Sequence, residues 1–357
     1  MRIAVLGVGL IGGSIGLAAK EHVEDAQVVG FGRSPERLER ARGLGAIDEV
    51  AGSLEQALAG ADLCFCCAPV GVLRDQVEAA LAAAPEGCVV TDVGSVKGGL
   101  VDGIEDQRFV GGHPIAGAET AGVEHARADL FEGATWYLTP TKRSSGVLFE
   151  RLHRLVAALG ARPIAIDSES HDRLLATVSH LPHVLANVLV TQAAGALGEE
   201  DEALPRVGPS FRDATRVAGA NSAIWTDIYV SNREAIAAEI DAVVGRLQEA
   251  ADKLRAGEPG PLTDWNEQAA DARRRLLEAD LAGGAVSELR LTVPNRPGIV
   301  AEVALALGKA GVNIVDMALA PAPDMRSGSI TLWIAGDDEA ARAHALIDDL
   351  GFPVAEA

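Results

Sequence analysis

Short apolar runs alternate with helical patterns through the first 167 residues, and this alternation narrows the fold more than any other feature of the chain. RIAVLG is followed by GSIGLAAKE, AQVVGF by PERLERARGLG, and ADLCFCCA by a helical stretch to about Ala84; GCVVTDVG, RFVGG and ATWYLTP come after. Strands that alternate with helices build βαβ units, so the pattern predicts a largely parallel sheet covered on both faces, the doubly wound arrangement. Gly7-Val8-Gly9-Leu10-Ile11-Gly12 lies where the first strand gives way to the first helix. There the first glycine allows a tight turn, the second lets the backbone approach a pyrophosphate, and the third permits close helix packing, while the helix N-terminus receives the anion. Gly7, Gly9, Leu10, Ile11 and Gly12 are therefore the expected dinucleotide-binding residues of a Rossmann-like domain.

A carboxylate at the end of the second strand ordinarily holds the ribose hydroxyls of NAD. Here the chain reads Phe31-Gly32-Arg33-Ser34, with Arg37 a turn later. Arg33 and Ser34 would suit a 2′-phosphate, or Arg33 would stack on adenine, so NAD+ and NADP+ both stand as cofactors.

Beyond residue 167 strand signals vanish until about Ala282. Ile236, Ile240, Val243, Val244, Leu247 and Leu254 recur at helical spacing among charged residues, an amphipathic helix. The uncharged run Leu174 to Gly198 is long enough to span a bilayer, but it carries Ser179, His180, Pro182, His183, Asn187 and Gln192. Its apolar residues keep to no single stripe, which predicts a soluble helix buried on nearly all sides, with a second subunit supplying part of the cover in a homodimer. After Gly283-Gly284 the types mix again: SELRLTV, PNRPG, GIVAEVALALGKAG, VNIVDMAL, SGSITLWIAG and EAARAHALIDDLG give the order βαββα of a small ferredoxin-like α+β module. The expected domains are 1–167 (Rossmann-like α/β), 168–282 (all-α, for substrate and dimerisation) and 286–357 (α+β).

A net charge of −20 over 357 residues argues against nucleic-acid backbones and anionic lipid as partners. The N-terminus reads as a strand rather than a secretion signal, so a cytoplasmic location is expected. Three of the four cysteines lie in Cys64 to Cys67 on a predicted strand, where neighbours face opposite sides; core cysteine is expected, and neither a metal nor a disulfide is assigned.

Two stretches bring chemistry to the carboxyl edge of the sheet, where open α/β folds bind ligands. Thr91-Asp92-Val93-Gly94-Ser95-Val96-Lys97 follows one strand, and GGHPIAGAE, residues 111–119, follows the next. The small residues around His113 offer no core to pack it in, so the imidazole reads as a site residue, able to take a proton from an alcohol as hydride departs, with Ser95 to orient it. In the helical region, His180 and His183 stand three apart, and Arg212 and Arg216 four apart, with Trp225 following. Two guanidinium groups on one helical face would hold a carboxylate-bearing substrate, or would form surface ion pairs with Asp213 or a neighbour.

With these residues in view, the chain resembles the prephenate and arogenate dehydrogenases of tyrosine biosynthesis. The resemblance runs through GVGLIGGSIGLA, DVGSVK, GGHPIAGAETAG, HDRLLATVSHLPHVLAN and FRDATRVAGANSAIW, in that order. PNRPGIVAEVALALGKAGVNI is similar to an ACT domain, a module that often binds amino acids. The resemblance implies oxidation of a ring carbinol by NAD(P)+ with loss of CO2. It makes His113 the base, Ser95 its orienting partner, Glu119 a residue of the substrate gate, Arg216 a carboxylate anchor and His183 a contact for the substrate side chain. Arg212 stands where relatives often carry lysine. It also implies a tyrosine effector near Asn295, Pro297, Gly298 and Asn313, and small residues around His113 that let the chain pass close to nicotinamide and substrate. Prephenate and arogenate both remain as substrates. A β-hydroxy-acid dehydrogenase would need a catalytic lysine in the helical region, where none stands in a suitable context. A non-catalytic dinucleotide-binding regulator would need neither base nor substrate clamp.

Overall fold

The computed structural model describes residues 1–117, 120–197, 207–278, 286–321 and 327–356. Five parallel strands form the first sheet: β1 (Arg2–Leu6), β2 (Gln27–Phe31), β3 (Glu49–Val50), β4 (Leu63–Cys66) and β5 (Val89–Asp92), in the order β3-β2-β1-β4-β5. The order reverses between β1 and β4, and the glycine loop leaves β1 at that switch point, where open α/β sheets bind ligands. β1, β4 and β5 are buried almost throughout, as apolar strands covered on both faces must be.

A second sheet orders β6 (Gly111–Pro114), β7 (Thr135–Thr139) and β8 (Arg162–Ala165) as β6-β7-β8, with β6 antiparallel and β8 parallel to β7. A parallel bridge between Val90 and Phe109 joins the residues leading into β6 to β5. Trp136, Phe131 and Phe65 fill the core, with ring centroids 5.0 and 6.2 Å from Trp136. Neither β3 nor β8 was anticipated from the sequence, nor was the helix Gly146–Ala158.

The C-terminal residues form a four-stranded antiparallel sheet of β9 (Val286–Pro294), β10 (Ile314–Pro321), β11 (Ser327–Ala335) and β12 (Val354–Glu356), ordered β10-β11-β9-β12, with helices Ile299–Lys309 and Asp337–Asp349. This is the expected ferredoxin-like order. The module forms one compact unit with residues 1–171. Gly308 explains one contact: a Cβ there would stand 1.7 Å from the Ala165 carbonyl oxygen, so glycine alone lets this helix lie against β8. Lys309 pairs with Asp167 at 3.2 Å beside it.

Residues 172–284 form the other unit, and its described elements are helical. A π turn, Ala176–His180, interrupts the helical run before Leu181–Leu197, a feature frequent at functional sites. Helices Pro209–Thr215, Ser222–Ser231, Arg233–Ala256 and Pro259–Glu278 follow. The segment Ser168–Gly195 is long and apolar enough, by length and composition, to cross a membrane. Within one chain it is not buried on nearly all sides as expected: Val178, Val188, Leu189 and Val190 are exposed, as are Val244, Leu247 and Leu254 on the long helix.

Candidate active site

Gly7 adopts φ +105°, and a Cβ on it would stand 2.6 Å from the Cys67 carbonyl oxygen, so both conformation and space demand glycine. At Gly12 a Cβ would lie 2.2 Å from the Gly7 carbonyl oxygen, the close packing expected of the third position. Gly9 differs: apart from its own chain neighbours, no atom of the described residues stands within 4 Å of where its Cβ would be. No side chain caps the helix Leu10–His22, whose first amides have no partner within the helix. Open space before uncapped N–H groups fits a pyrophosphate. At the end of β2, Ser34 caps the next helix by accepting a hydrogen bond from the Arg37 amide. Arg33 and Arg37 are exposed and form no ion pair among the described residues.

The cysteines beside this loop are structural. Cys64 and Cys66 are buried on β4, and burial raises the thiol pKa of Cys66 and Cys67, and that of Cys88 to about 12.

Asp92 ends β5 and Lys97 closes the loop after it; the two form an ion pair with both side chains fully buried. The Asp92 carboxylate also accepts from the Gly94 amide at 2.8 Å and the Gly112 amide at 3.0 Å, while Lys97 Nζ donates to the Gly112 carbonyl oxygen at 2.9 Å. Gly112 is thereby held through both its N–H and its C=O, one residue before His113. Gly111–Pro114 is buried throughout, so the small residues do pack a core, contrary to the sequence reading. A Cβ on Gly112 would stand 2.6 Å from the Asp92 carbonyl oxygen and 2.8 Å from Thr91 Oγ1. Close packing against β5 thus accounts for glycine there.

His113 is only 8% exposed and pairs with Tyr137 across β6 and β7. Its Nδ1 lies 2.9 Å from Nε2 of His171, with the rings edge to face. Tyr137 packs edge-on against the His171 ring, with centroids 5.6 Å apart. Ser95, the expected orienting partner, is half-buried and makes no hydrogen bond to the imidazole among the described residues; the Nδ1 partner is His171. Sequence reasoning missed His171, although it opens the quoted stretch HDRLLATVSHLPH, and it gave Asp92 and Lys97 no role. Glu119 lies outside the described residues.

In the helical unit, the ring of His183 stacks on Trp225 with centroids 3.4 Å apart and planes 21° from parallel. Its Nε2 is buried without a hydrogen-bond partner among the described residues, and burial lowers its pKa. Tyr229 also packs against Trp225, with ring centroids 5.5 Å apart, and receives a long hydrogen bond from Asn187. His180 meets Trp225 edge-on, with centroids 6.0 Å apart, but it is buried and its Nδ1 meets Asn232 Nδ2 at 3.1 Å, while that amide also donates to the Asp172 carbonyl oxygen. Arg212 lies on the helix Pro209–Thr215 and Arg216 caps its C-terminal end, both exposed. Among the described residues Arg212 forms no ion pair with Asp213, whereas Arg216 has an interaction partner of its own.

In the C-terminal module, Asn295 and Pro297 are exposed in the loop after β9. Gly298 adopts φ +82°, and a Cβ there would stand 2.7 Å from the Lys142 carbonyl oxygen, so packing requires this glycine. Asn313 Oδ1 is buried without a hydrogen-bond partner among the described residues.

A doubly wound sheet with a glycine loop at its switch point, and a buried, hydrogen-bonded histidine beyond β5, define a nucleotide-binding oxidoreductase. Comparison with known proteins narrows the class. Residues 15–165 match the family profile described as Prephenate dehydrogenase, nucleotide-binding domain, and residues 167–267 match Prephenate dehydrogenase, dimerization domain. The chain is 30% identical to a prephenate dehydrogenase of Bacillus subtilis, over 97% of this chain and 95% of that one. A crystal structure of prephenate dehydrogenase from Aquifex aeolicus, in complex with hydroxyphenyl propionate and NAD+, superposes with a TM-score of 0.73 at 30% identity, covering 77% of this chain and 98% of that one. Synechocystis arogenate dehydrogenase gives 0.68 at 26% identity, covering 77% and 100%. The chain belongs to the prephenate dehydrogenase family.

Proposed function

We propose that this protein oxidises and decarboxylates prephenate to 4-hydroxyphenylpyruvate, with His113 as the base. The observation that carries this reading is the imidazole of His113, fixed by β6, by the stapled Gly112 and by the hydrogen bond at Nδ1. NAD(P)+, held at the glycine loop, would accept hydride from the ring carbinol carbon. His113 would take the hydroxyl proton as that hydride leaves. Loss of CO2 then sends its bonding electrons into the ring, which becomes aromatic, and the phenolate oxygen takes a proton back. Arg216, with Arg212, would hold a substrate carboxylate, and His183 on Trp225 would meet the side-chain end. Glu119 would border the entrance.

Arogenate, which carries an ammonium where prephenate has a keto group, is the second reading, favoured by the likeness to the Synechocystis enzyme. The exposed apolar residues Val188, Leu189, Val244 and Leu247 support a homodimer of soluble subunits rather than a bilayer span, since the same helix carries His183, Asn187 and Gln192. A cytoplasmic location follows from that reading. The orphan carbonyl of Asn313 supports an effector with a donor group, tyrosine in the first instance, near Asn295, Pro297 and Gly298.

Assaying prephenate and arogenate, each with NAD+ and NADP+, at 340 nm tests the activity and separates the alternatives. Reduction with neither substrate would overturn the reading. His113→Asn is expected to lower kcat by about 10²–10⁴-fold with little change in substrate KM; unchanged turnover would remove the base assignment. Light scattering at micromolar concentration is expected to show a dimer.

A further inference from the structure

We infer that His171 is the positioning residue that sets the tautomer of His113, so that the ring turns an unprotonated Nε2 to the substrate hydroxyl. The inference rests on the reading of His113 as the base. Only one proton fits between Nδ1 of His113 and Nε2 of His171, 2.9 Å apart. Two neutral arrangements satisfy that bond. In one, His171 Nε2–H donates to His113, whose own proton then sits on Nε2 and leaves that atom with no lone pair for a substrate. In the other, His113 Nδ1–H donates to His171 Nε2, and His113 Nε2 keeps its lone pair. A base that works through Nε2 requires the second, because the partner of one ring nitrogen decides the state of the other.

The surroundings fit a fixed partner rather than an incidental contact. His171 is fully buried, its backbone amide donates to the Asp167 carbonyl oxygen in the first turn of helix Ser168–Leu175, and Tyr137 meets its ring edge-on. Tyr137 is also the strand neighbour of His113 on β7, so the residue that meets the His171 ring stands beside His113 in the sheet. When His113 takes up the hydroxyl proton it becomes imidazolium, and its Nδ1–H to His171 becomes a charge-assisted hydrogen bond, stronger in the state that follows proton transfer than in the state before it. His171 thus acts through His113 without touching substrate.

The test uses the full chain uniformly labelled with 15N, in the pH range where both rings are neutral, together with the variants His171→Leu and His171→Gln. Long-range proton–nitrogen correlation spectra, with His113 assigned by its loss in His113→Asn, are expected to show Nδ1–H on His113 in the parent. His171→Leu is expected to shift it toward Nε2–H, the form that unconstrained histidine favours, and to lower kcat by about 10-fold or more while substrate KM stays within about 2-fold. The amide oxygen of His171→Gln reaches the position of Nε2 and accepts from Nδ1–H, so it is expected to recover much of that kcat. An Nε2–H tautomer in the parent overturns the inference whether or not the leucine variant folds. So does a leucine variant that melts with the parent and keeps its kcat. If His113→Asn is inactive while that happens, the base reading stands and the present inference alone falls; if His113→Asn turns over normally, the base reading itself falls.

Discussion

Lys97 and Asp92 form an ion pair that excludes water completely, and both partners also bind Gly112. Burying two charges costs several kcal/mol, recovered only while each keeps its partner and its remaining hydrogen bonds. Lys97→Met is therefore expected to destabilise the protein by about 3–5 kcal/mol, because it strands a buried carboxylate. The double variant Lys97→Met, Asp92→Asn removes both charges but leaves an amide oxygen for the Gly112 N–H, and should be less destabilised than Lys97→Met alone. Urea denaturation of the three proteins checks the order. A Lys97→Met cost under about 1 kcal/mol would show that the pair does not hold the loop.

Gly112→Ala tests whether close packing sets the position of His113. The nearest obstacle to the new methyl is the backbone carbonyl oxygen of Asp92 at 2.6 Å, which cannot swing aside as a side-chain end can. The strand must shift, at a cost of about 1–3 kcal/mol, and His113 shifts with it. Both a lower melting temperature and a lower kcat are expected. Full activity in a destabilised variant would separate the packing of Gly112 from catalysis.

The sequence carried the doubly wound domain because βα alternation and the glycine turn are local signals, each confined to a few consecutive residues. What escaped it has physical reasons. β3 is two residues long and has no period to detect. β8 reads RPIA, and its proline argues against a strand except at a sheet edge, which is where β8 lies. His113 stood out through its small neighbours, yet those neighbours serve packing against β5. Its hydrogen-bond partner, His171, lies 58 residues further along the chain, and no local pattern encodes such a pairing. The burial of Asp92 and Lys97 is likewise a product of the fold: in the sequence they are two charged residues in a loop, as any solvated pair would be.

Arg33 and Arg37 stand exposed at the end of β2 without ion pairs among the described residues, and the chain reads Phe31-Gly32-Arg33-Ser34 where a carboxylate would bind an unphosphorylated ribose. If they meet a 2′-phosphate, Arg33→Ala should raise the KM for NADP+ by about 10-fold or more, the loss of a charged hydrogen bond of about 1.5–3 kcal/mol, and leave the KM for NAD+ nearly unchanged. Equal losses for both cofactors would mean that Arg33 stacks on adenine instead. Steady-state kinetics with each cofactor at saturating substrate distinguishes the two.

His153, on the helix Gly146–Ala158, is 2% exposed, and neither of its ring nitrogens has a hydrogen-bond partner among the described residues. Burial lowers its pKa from 6.5 to about 4, with Asp316 and the nearby Ile314 backbone pulling the other way. The folded protein therefore keeps this ring neutral in a range where the unfolded chain protonates it. Because the unfolded state binds more protons there, stability rises with pH: it is intact above about 6.5 and is lost progressively as pH falls toward about 4. The loss attributable to this one residue amounts to about 3 kcal/mol. Carboxylates titrate in the lower part of the same range, so the comparison must be between two proteins rather than between two pH values. His153→Leu retains the packing volume and has nothing to protonate; from pH 7 to pH 4 its stability, read from urea denaturation, is expected to fall by less than that of the parent. Equal losses in the two proteins would mean that the ring takes its proton in the folded state and that burial does not hold it neutral.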